Sequence, residues 1–326
     1  MEKISVIGAG SWGTTLAVLL GEKGFNVKLF ARREEISNEI ESKRENLQYL
    51  PGVKIPPNVI VDSSLGNVIE GSEIIITAVP SEFLRKTAVE INKLFSNQIV
   101  VSVTKGMEHN TCKRMSQVLE DELGKKAKIA VLSGPNHAEE VSTKKPTASV
   151  VACKDRRVGK TAADCLGTPY FKLYQIDDVA GTEICGALKN IPAIATGVCD
   201  GFVFGDNARA SIITLGLMEM NNFGRHFGAK RGTVYGLAGV GDLIATCISK
   251  HSRNRHVGES LAKGKTIHDI KKEMSGMVAE GVPTTKAVYE YSVKHNIEMP
   301  LTKQAYEVLF KNKNIKSAIN DLLELI

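Results

Sequence analysis

Aromatic residues are scarce in this chain, at 6% of the total with a single tryptophan, Trp12. No basic tract with interleaved aromatics occurs, so a nucleic-acid partner is not expected. The net charge of +6 is mild, is spread over both halves, and favours small anionic ligands. The six cysteines (Cys112, Cys153, Cys165, Cys185, Cys199 and Cys247) are far apart and form no C-x-x-C pair. They read as reduced, mostly buried thiols of a cytoplasmic protein, and no metal site is expected. No apolar run reaches the roughly 18 residues of a membrane span. The first strand begins almost at Met1, which leaves no room for a signal peptide. Internal repeats and low-complexity tracts are missing too. What remains, 326 residues of which 43% are hydrophobic and 24% charged, suits a globular protein of about two domains.

Against that background the stretch Ile4-Ser5-Val6-Ile7-Gly8-Ala9-Gly10-Ser11-Trp12-Gly13 stands out. A β-branched apolar run leads into G-x-G-x-x-G, and Thr14 to Leu20 reads as a helix. Gly8 permits the tight turn, Gly10 lets backbone approach a pyrophosphate, and Gly13 lets helix pack closely on strand. The free N–H groups and the dipole at the helix start favour the ligand's negative charge. A second strand, Val27 to Phe30, follows at the right distance, so the pattern predicts a dinucleotide site.

Short β-rich runs alternate with helical segments up to about residue 180. The strands are expected at 4–8, 27–31, 74–79, 99–104, 129–133, 148–152 and 171–175. Unbroken runs such as Ile74-Ile75-Ile76 and Val100-Val101 suit parallel strands covered on both faces. Lys43 to Pro57 reads as an irregular excursion. From about 181 the strand signal disappears and helical patterns take over. Glycine clusters at 228–241 and 276–281 break them, and Asn296 to Pro300 separates the final two helices. The expected architecture is α/β: a doubly wound Rossmann domain at 1–180, then an all-α domain at 181–326.

The acidic residue that would hold an NAD ribose should end the second strand. Here the strand ends in Phe30-Ala31-Arg32-Arg33, and guanidinium groups there welcome a 2′-phosphate. NADP is therefore favoured over NAD, unless these arginines merely pair with Glu34 and Glu35 in the next helix. Other features fall at strand ends, where open α/β sheets bind ligands. Val79-Pro80-Ser81 closes the third strand, and Thr104-Lys105-Gly106 the fourth. Ser133-Gly134-Pro135-Asn136-His137-Ala138-Glu139 closes the fifth, with backbone that a ligand could approach at Gly134.

In the helical half, Ile184, Leu188, Ile191 and Ala195 form a buried stripe, and Lys189 lies off it among small or compact neighbours. Partial desolvation there would lower its pKa toward the range of a general base. Asn190 stands beside it, and Pro192 should kink or break the helix. Gly236-Leu237-Ala238-Gly239-Val240-Gly241-Asp242 brings backbone close to something and ends in a carboxylate. Ser252-Arg253-Asn254-Arg255 opens a helix with a plausible N-cap, which makes a ready phosphate site. Glu280, before a glycine turn, could face a cofactor or be an exposed cap.

Taken in order, Gly8-Ala9-Gly10-Ser11-Trp12-Gly13-Thr14, Thr104-Lys105-Gly106, Ser133-Gly134-Pro135, Ala187-Leu188-Lys189-Asn190, Gly239-Val240-Gly241-Asp242, Ser252-Arg253-Asn254-Arg255 and Val278-Ala279-Glu280-Gly281 resemble the NAD(P)-dependent glycerol-3-phosphate dehydrogenases of bacteria, over nearly the whole chain. That resemblance implies reversible hydride transfer between NAD(P)H and dihydroxyacetone phosphate, giving sn-glycerol 3-phosphate for phospholipid synthesis. Lys189 matches the family's proton acceptor. Gly8, Gly10, Ser11, Trp12, Gly13, Arg32, Arg33, Ala138, Val278 and Glu280 fall at cofactor positions. Lys105 and Arg253 match residues shared by cofactor and substrate. Gly134, Asn136, Asp242, Ser252 and Asn254 match the substrate side.

Two positions depart from the family pattern: Asn136 stands where Ser or Thr is common, and Leu215 where Arg often stands. A hydroxyacid or hydroxyacyl dehydrogenase would want a carboxylate or coenzyme A site instead of the Ser252 helix start. A non-catalytic NAD(P)-binding regulator would not need Lys189, Asp242 and the Ser252 stretch together. A homodimer is expected from the apolar surface of the helical half.

Overall fold

The computed structural model describes residues 3–274 and 279–324. The chain divides into two compact units, Met1–Thr104 with Met115–Val179, and Lys105–Arg114 with Ala180–Ile326. The segment 105–114 thus belongs with the helical residues, although its sequence lies inside the α/β half.

In the first unit the order is β1 (Lys3–Ile7), α1 (Ser11–Glu22), β2 (Asn26–Phe30), α2 (Glu34–Lys43), β3 (Glu45–Asn46), β4 (Leu50–Lys54), β5 (Val59–Asp62), α3 (Leu65–Ile69), β6 (Ile74–Thr77), α4 (Ser81–Asn92), β7 (Ile99–Ser102), α5 (Met115–Leu123), β8 (Lys128–Ser133), α6 (Ala138–Ser142), β9 (Thr147–Ala152), α7 (Arg156–Leu166) and β10 (Phe171–Ile176). Eight strands form one sheet in the order β10-β9-β8-β7-β6-β1-β2-β5. The chain leaves β1 first toward β2 and later toward β6, which makes β1 the switch point of a doubly wound sheet. One face packs on α1, α2 and α7 through Leu16, Leu20, Ile40, Val158 and Ala162. The other packs on α3, α4 and α5 through Val68, Leu84, Ile91 and Val118. Burial on both faces explains why β6 reads as an unbroken isoleucine run.

Three expectations need correction. β5 is an eighth strand absent from the sequence reading. It is four residues long, follows Pro56-Pro57 and sits at the sheet's edge with Ile60 exposed, so it carries little strand signal. The excursion at 43–57 holds a two-stranded antiparallel ladder, β3 with β4. β9 runs antiparallel to β8. The link between them carries only the five-residue α6, short of an ordinary crossover helix.

The second unit contains α8 (Val179–Leu188), α9 (Asn190–Gly201), α10 (Asp206–His226), α11 (Arg231–Val234), a π-turn at Leu237–Gly241, α12 (Asp242–Ile248), α13 (Arg253–Ala262), α14 (Ile267–Glu273), α15 (Gly281–Lys294), α16 (Pro300–Lys311) and α17 (Ile315–Leu323). The glycine cluster at 228–241 is therefore largely helical. Asn296 to Pro300 separates α15 from α16, and α17 is a further helix. Asn312 ends α16 in the left-handed conformation, and the Asn314 side chain caps α17 by accepting from Lys316 and Ser317 N–H.

Two glycine contacts set the packing of α9 on α13. A Cβ at Gly197 would lie 1.9 Å from the Arg255 carbonyl oxygen, and one at Gly258 would lie 1.9 Å from that of Ile194. Backbone meets backbone here, which only glycine allows. The start of α16 is held differently. Glu219, buried on α10, accepts from Leu301 N–H at 2.5 Å and from the Thr302 hydroxyl at 2.5 Å.

Candidate active site

The first unit builds a nucleotide-binding turn. Gly8 has φ +120°, and a Cβ there would lie 2.7 Å from the Ala78 carbonyl oxygen. A Cβ at Gly13 would lie 1.9 Å from the Gly8 carbonyl oxygen, while nothing lies within 4 Å of one at Gly10. Gly8 and Gly13 close the turn, and Gly10 faces open space. Gly10 is also the N-cap of α1 and brings no side chain to the helix's first N–H groups. Those donors, with open space before them, fit the pyrophosphate of a dinucleotide. The buried Trp12 Nε1, which has no hydrogen-bond partner, is one more donor beside the turn.

Asn46 braces this turn, a role that sequence reasoning missed. Its buried amide donates to the Ala9 carbonyl at 2.9 Å and to the Thr14 hydroxyl at 2.8 Å. The Thr15 hydroxyl donates to Ser11 at 2.9 Å and to Ala138 at 3.3 Å, which joins two of the expected cofactor positions. Arg32 and Arg33 are exposed at the end of β2 and do not pair with Glu34 or Glu35. Arg33 donates to Gln48 at 2.7 Å and Tyr49 at 3.2 Å, and Arg32 lies 5.5 Å from the Phe83 ring centroid. Gly134 turns the chain at φ +132° against Ser149, followed by the buried Asn136.

The second unit concentrates the charged chemistry. Lys189 sits at a one-residue break between α8 and α9. Pro192 has no N–H to return to Leu188, four residues back, and its ring crowds that carbonyl; the break falls there. The lysine is 6% exposed, and its Nζ donates to Asp242 Oδ1 at 2.5 Å and to the Thr246 hydroxyl at 2.9 Å. Lys105 donates to the other oxygen of Asp242, Oδ2, at 2.9 Å. One buried carboxylate is thus shared by two ammonium groups. Thr246, one turn along α12 from Asp242, was not anticipated; its position four residues on was the only signal in the sequence.

Asp242 gets its place from the π-turn, a feature often found at functional sites. The Gly241 N–H reaches the Gly236 carbonyl at 3.1 Å, and a Cβ at Gly239 would lie 1.9 Å from that of Val234. Burial would raise the Asp242 carboxyl, but the Lys105 and Lys189 charges outweigh it and hold it below the usual range. Burial lowers the Lys105 ammonium to about 7, with Asp242 opposing and Lys189 assisting. Two lysines share this one carboxylate, an arrangement that suits an anionic ligand.

Ser252 caps α13 by accepting from Arg255 N–H at 3.3 Å. Asn254 is buried: it donates to Asn190 Oδ1 at 2.9 Å and accepts from Gly281 N–H at 2.8 Å. This ties the start of α13 to the residue after Lys189. Arg253 is exposed in the first turn, and Glu280 is half-buried just before α15. Val278 lies outside the described residues. Among those described, no cluster of three or more His, Cys, Asp or Glu could hold a metal ion. All six cysteines are buried, and none is joined in a disulfide.

Residues 3–159 match the family model for the NAD-dependent glycerol-3-phosphate dehydrogenase N-terminus, and residues 178–320 match that for its C-terminus. The chain belongs to the NAD-dependent glycerol-3-phosphate dehydrogenase family. A glycerol-3-phosphate dehydrogenase [NAD(P)+] of Chlorobium phaeobacteroides (strain BS1) is 47% identical, over 98% of this chain and 97% of that one. One from Solidesulfovibrio magneticus is 46% identical, over 98% of each chain. Among solved structures, a glycerol-3-phosphate dehydrogenase of Coxiella burnetii superposes with a TM-score of 0.95 at 36% identity, covering 99% of both chains. No single described helix is long and apolar enough to cross a membrane.

Proposed function

We propose that the chain catalyses reversible hydride transfer between NAD(P)H and dihydroxyacetone phosphate, with Lys189 delivering the proton that completes sn-glycerol 3-phosphate. The Lys105–Asp242–Lys189 cluster carries this reading. When bound, the reduced nicotinamide supplies hydride to the substrate's C2 carbonyl. As negative charge develops on the C2 oxygen, the Lys189 ammonium stabilises it and gives up a proton. Asp242 orients both lysines, and Thr246 fixes the direction of Lys189. In the oxidative direction neutral Lys189 takes the C2 hydroxyl proton.

The start of α13, with Ser252, Arg253 and Asn254, suits the substrate phosphate, since a capped helix N-terminus and a free guanidinium both favour a dianion. Lys105 adds charge on the substrate side, and Gly134 and Asn136 are assigned to the same side as neutral polar groups. Cofactor roles are assigned to Gly8, Gly10, Ser11, Trp12, Gly13, Arg32, Arg33, Lys105, Ala138, Arg253, Val278 and Glu280. Arg32 and Arg33 at the end of β2, where an acidic residue would hold an NAD ribose, support NADPH as the preferred reductant. The product would feed phospholipid synthesis in the cytoplasm, from a homodimeric enzyme acting on small molecules.

The test is Lys189→Ala. Loss of one general acid/base costs about 100- to 10,000-fold in kcat, while NADPH still binds. Turnover left intact with cofactor affinity unchanged would overturn the assignment of the proton donor.

A further inference from the structure

We propose that the part-buried ion pair between Glu183 and Arg114 is a positioning device that holds Lys105 against Asp242. The proposal rests on the reading of the lysine cluster given above. Lys105 is the first residue of segment 105–114, which contains no helix and only one isolated antiparallel bridge, Met107 with Arg114. A lysine on such a segment depends on what anchors the backbone. Inside the segment, Glu108 N–H donates to Lys113 at 2.9 Å and Cys112 N–H to Glu108 at 2.8 Å. Met107 and Cys112 are buried in the same core cluster as Ile184 and Leu188 of α8. These apolar contacts fix depth, but they are non-directional and leave register open.

Direction comes from the far end. Arg114 Nη1 meets Glu183 Oε2 at 2.5 Å, with the Glu183 side chain 2% exposed. Glu183 lies on α8 six residues before Lys189, about 9 Å along the helix. The segment is therefore tied at both ends to the framework that carries Lys189: by Arg114–Glu183 at one end and by Lys105–Asp242 at the other. A buried ion pair adds little stability over a well-packed apolar pair, and its best-attested use is to specify register. Glu183 acts on Lys105 through Arg114 and the segment that joins them.

The experiment compares Glu183→Gln, Arg114→Gln and the double variant, each shown folded by circular dichroism, with Glu183→Asp as the conservative control. Displacement of a reacting group by about an ångström costs on the order of 100-fold. Each single variant should lose that much in kcat/KM for dihydroxyacetone phosphate. The double variant should be no worse than either single one, because both act through one contact. Glu183→Asp should recover part of the loss.

The pH profile separates positioning from a general loss of structure. The wild-type kcat/KM profile should show a limb near pH 7 from Lys105, and in the Gln variants that limb should move up as the lysine leaves its buried setting. If the Gln variants fail to fold, Arg114→Lys keeps the charge, loses the fork, and is read by the same profile. An unmoved limb, or losses that multiply in the double variant, would overturn the proposal. Full activity in Lys189→Ala would instead overturn the functional reading beneath it.

Discussion

Glu219 makes the stability of the helical unit depend on pH in an unusual direction. Its carboxylate is buried and accepts from Leu301 N–H, Thr302 N–H and the Thr302 hydroxyl, which caps the N-terminus of α16. Burial raises the carboxyl from 4.5 to about 7, and those hydrogen bonds only partly oppose it. The folded state therefore holds a proton that the unfolded state has released, and stability falls as pH rises between those values. Each tenfold change in proton affinity is about 1.4 kcal/mol, so the loss is about 3 kcal/mol by pH 8. Glu219→Gln cannot ionise, and its amide can still accept from Leu301 and share a hydrogen with the Thr302 hydroxyl. The assay is chemical unfolding from pH 4.5 to 8, followed by far-ultraviolet circular dichroism, because the single tryptophan, Trp12, lies in the other unit. Relative to the variant, wild type should lose about 3 kcal/mol across that range. Parallel curves, or a wild type that gains on the variant as pH rises, would refute the reasoning.

The other expectations concern cofactor choice and helix packing. Arg33→Asp should lower the ratio of kcat/KM for NADPH over NADH by about 10- to 100-fold, the worth of a charged hydrogen bond; an unchanged ratio places the 2′-phosphate elsewhere. Gly258→Ala pushes a methyl into the Ile194 carbonyl and should cost about 1–3 kcal/mol or more of stability. Gly232→Ala, with nothing within 4 Å of the added carbon, should be close to neutral.

Much of this arrangement is legible in the sequence because it rests on local rules. The spacing of Gly8, Gly10 and Gly13 gives the turn, and the apolar runs give seven of the eight strands of the main sheet. Pro192 signals the break at Lys189, and Ser252 the start of α13. What escapes depends on partners distant in sequence. Asn46 looks like an ordinary loop asparagine until the fold brings it to Ala9 and Thr14. Nothing about Thr246 is distinctive until Lys189 reaches it. Segment 105–114 joins the helical unit because Met107 and Cys112 need a core, which neighbouring residues cannot reveal. β5 stayed hidden for another reason: an edge strand of four residues after two prolines has almost no pattern to read.

The central claim is tested most directly by following nicotinamide absorbance with dihydroxyacetone phosphate, in parallel with NADPH and NADH. Rapid oxidation of NADPH, abolished in Lys189→Ala, is the predicted result. Faster oxidation of NADH would keep the reaction and contradict the role given to Arg32 and Arg33. Binding of the cofactor without oxidation of either form would contradict the account as a whole.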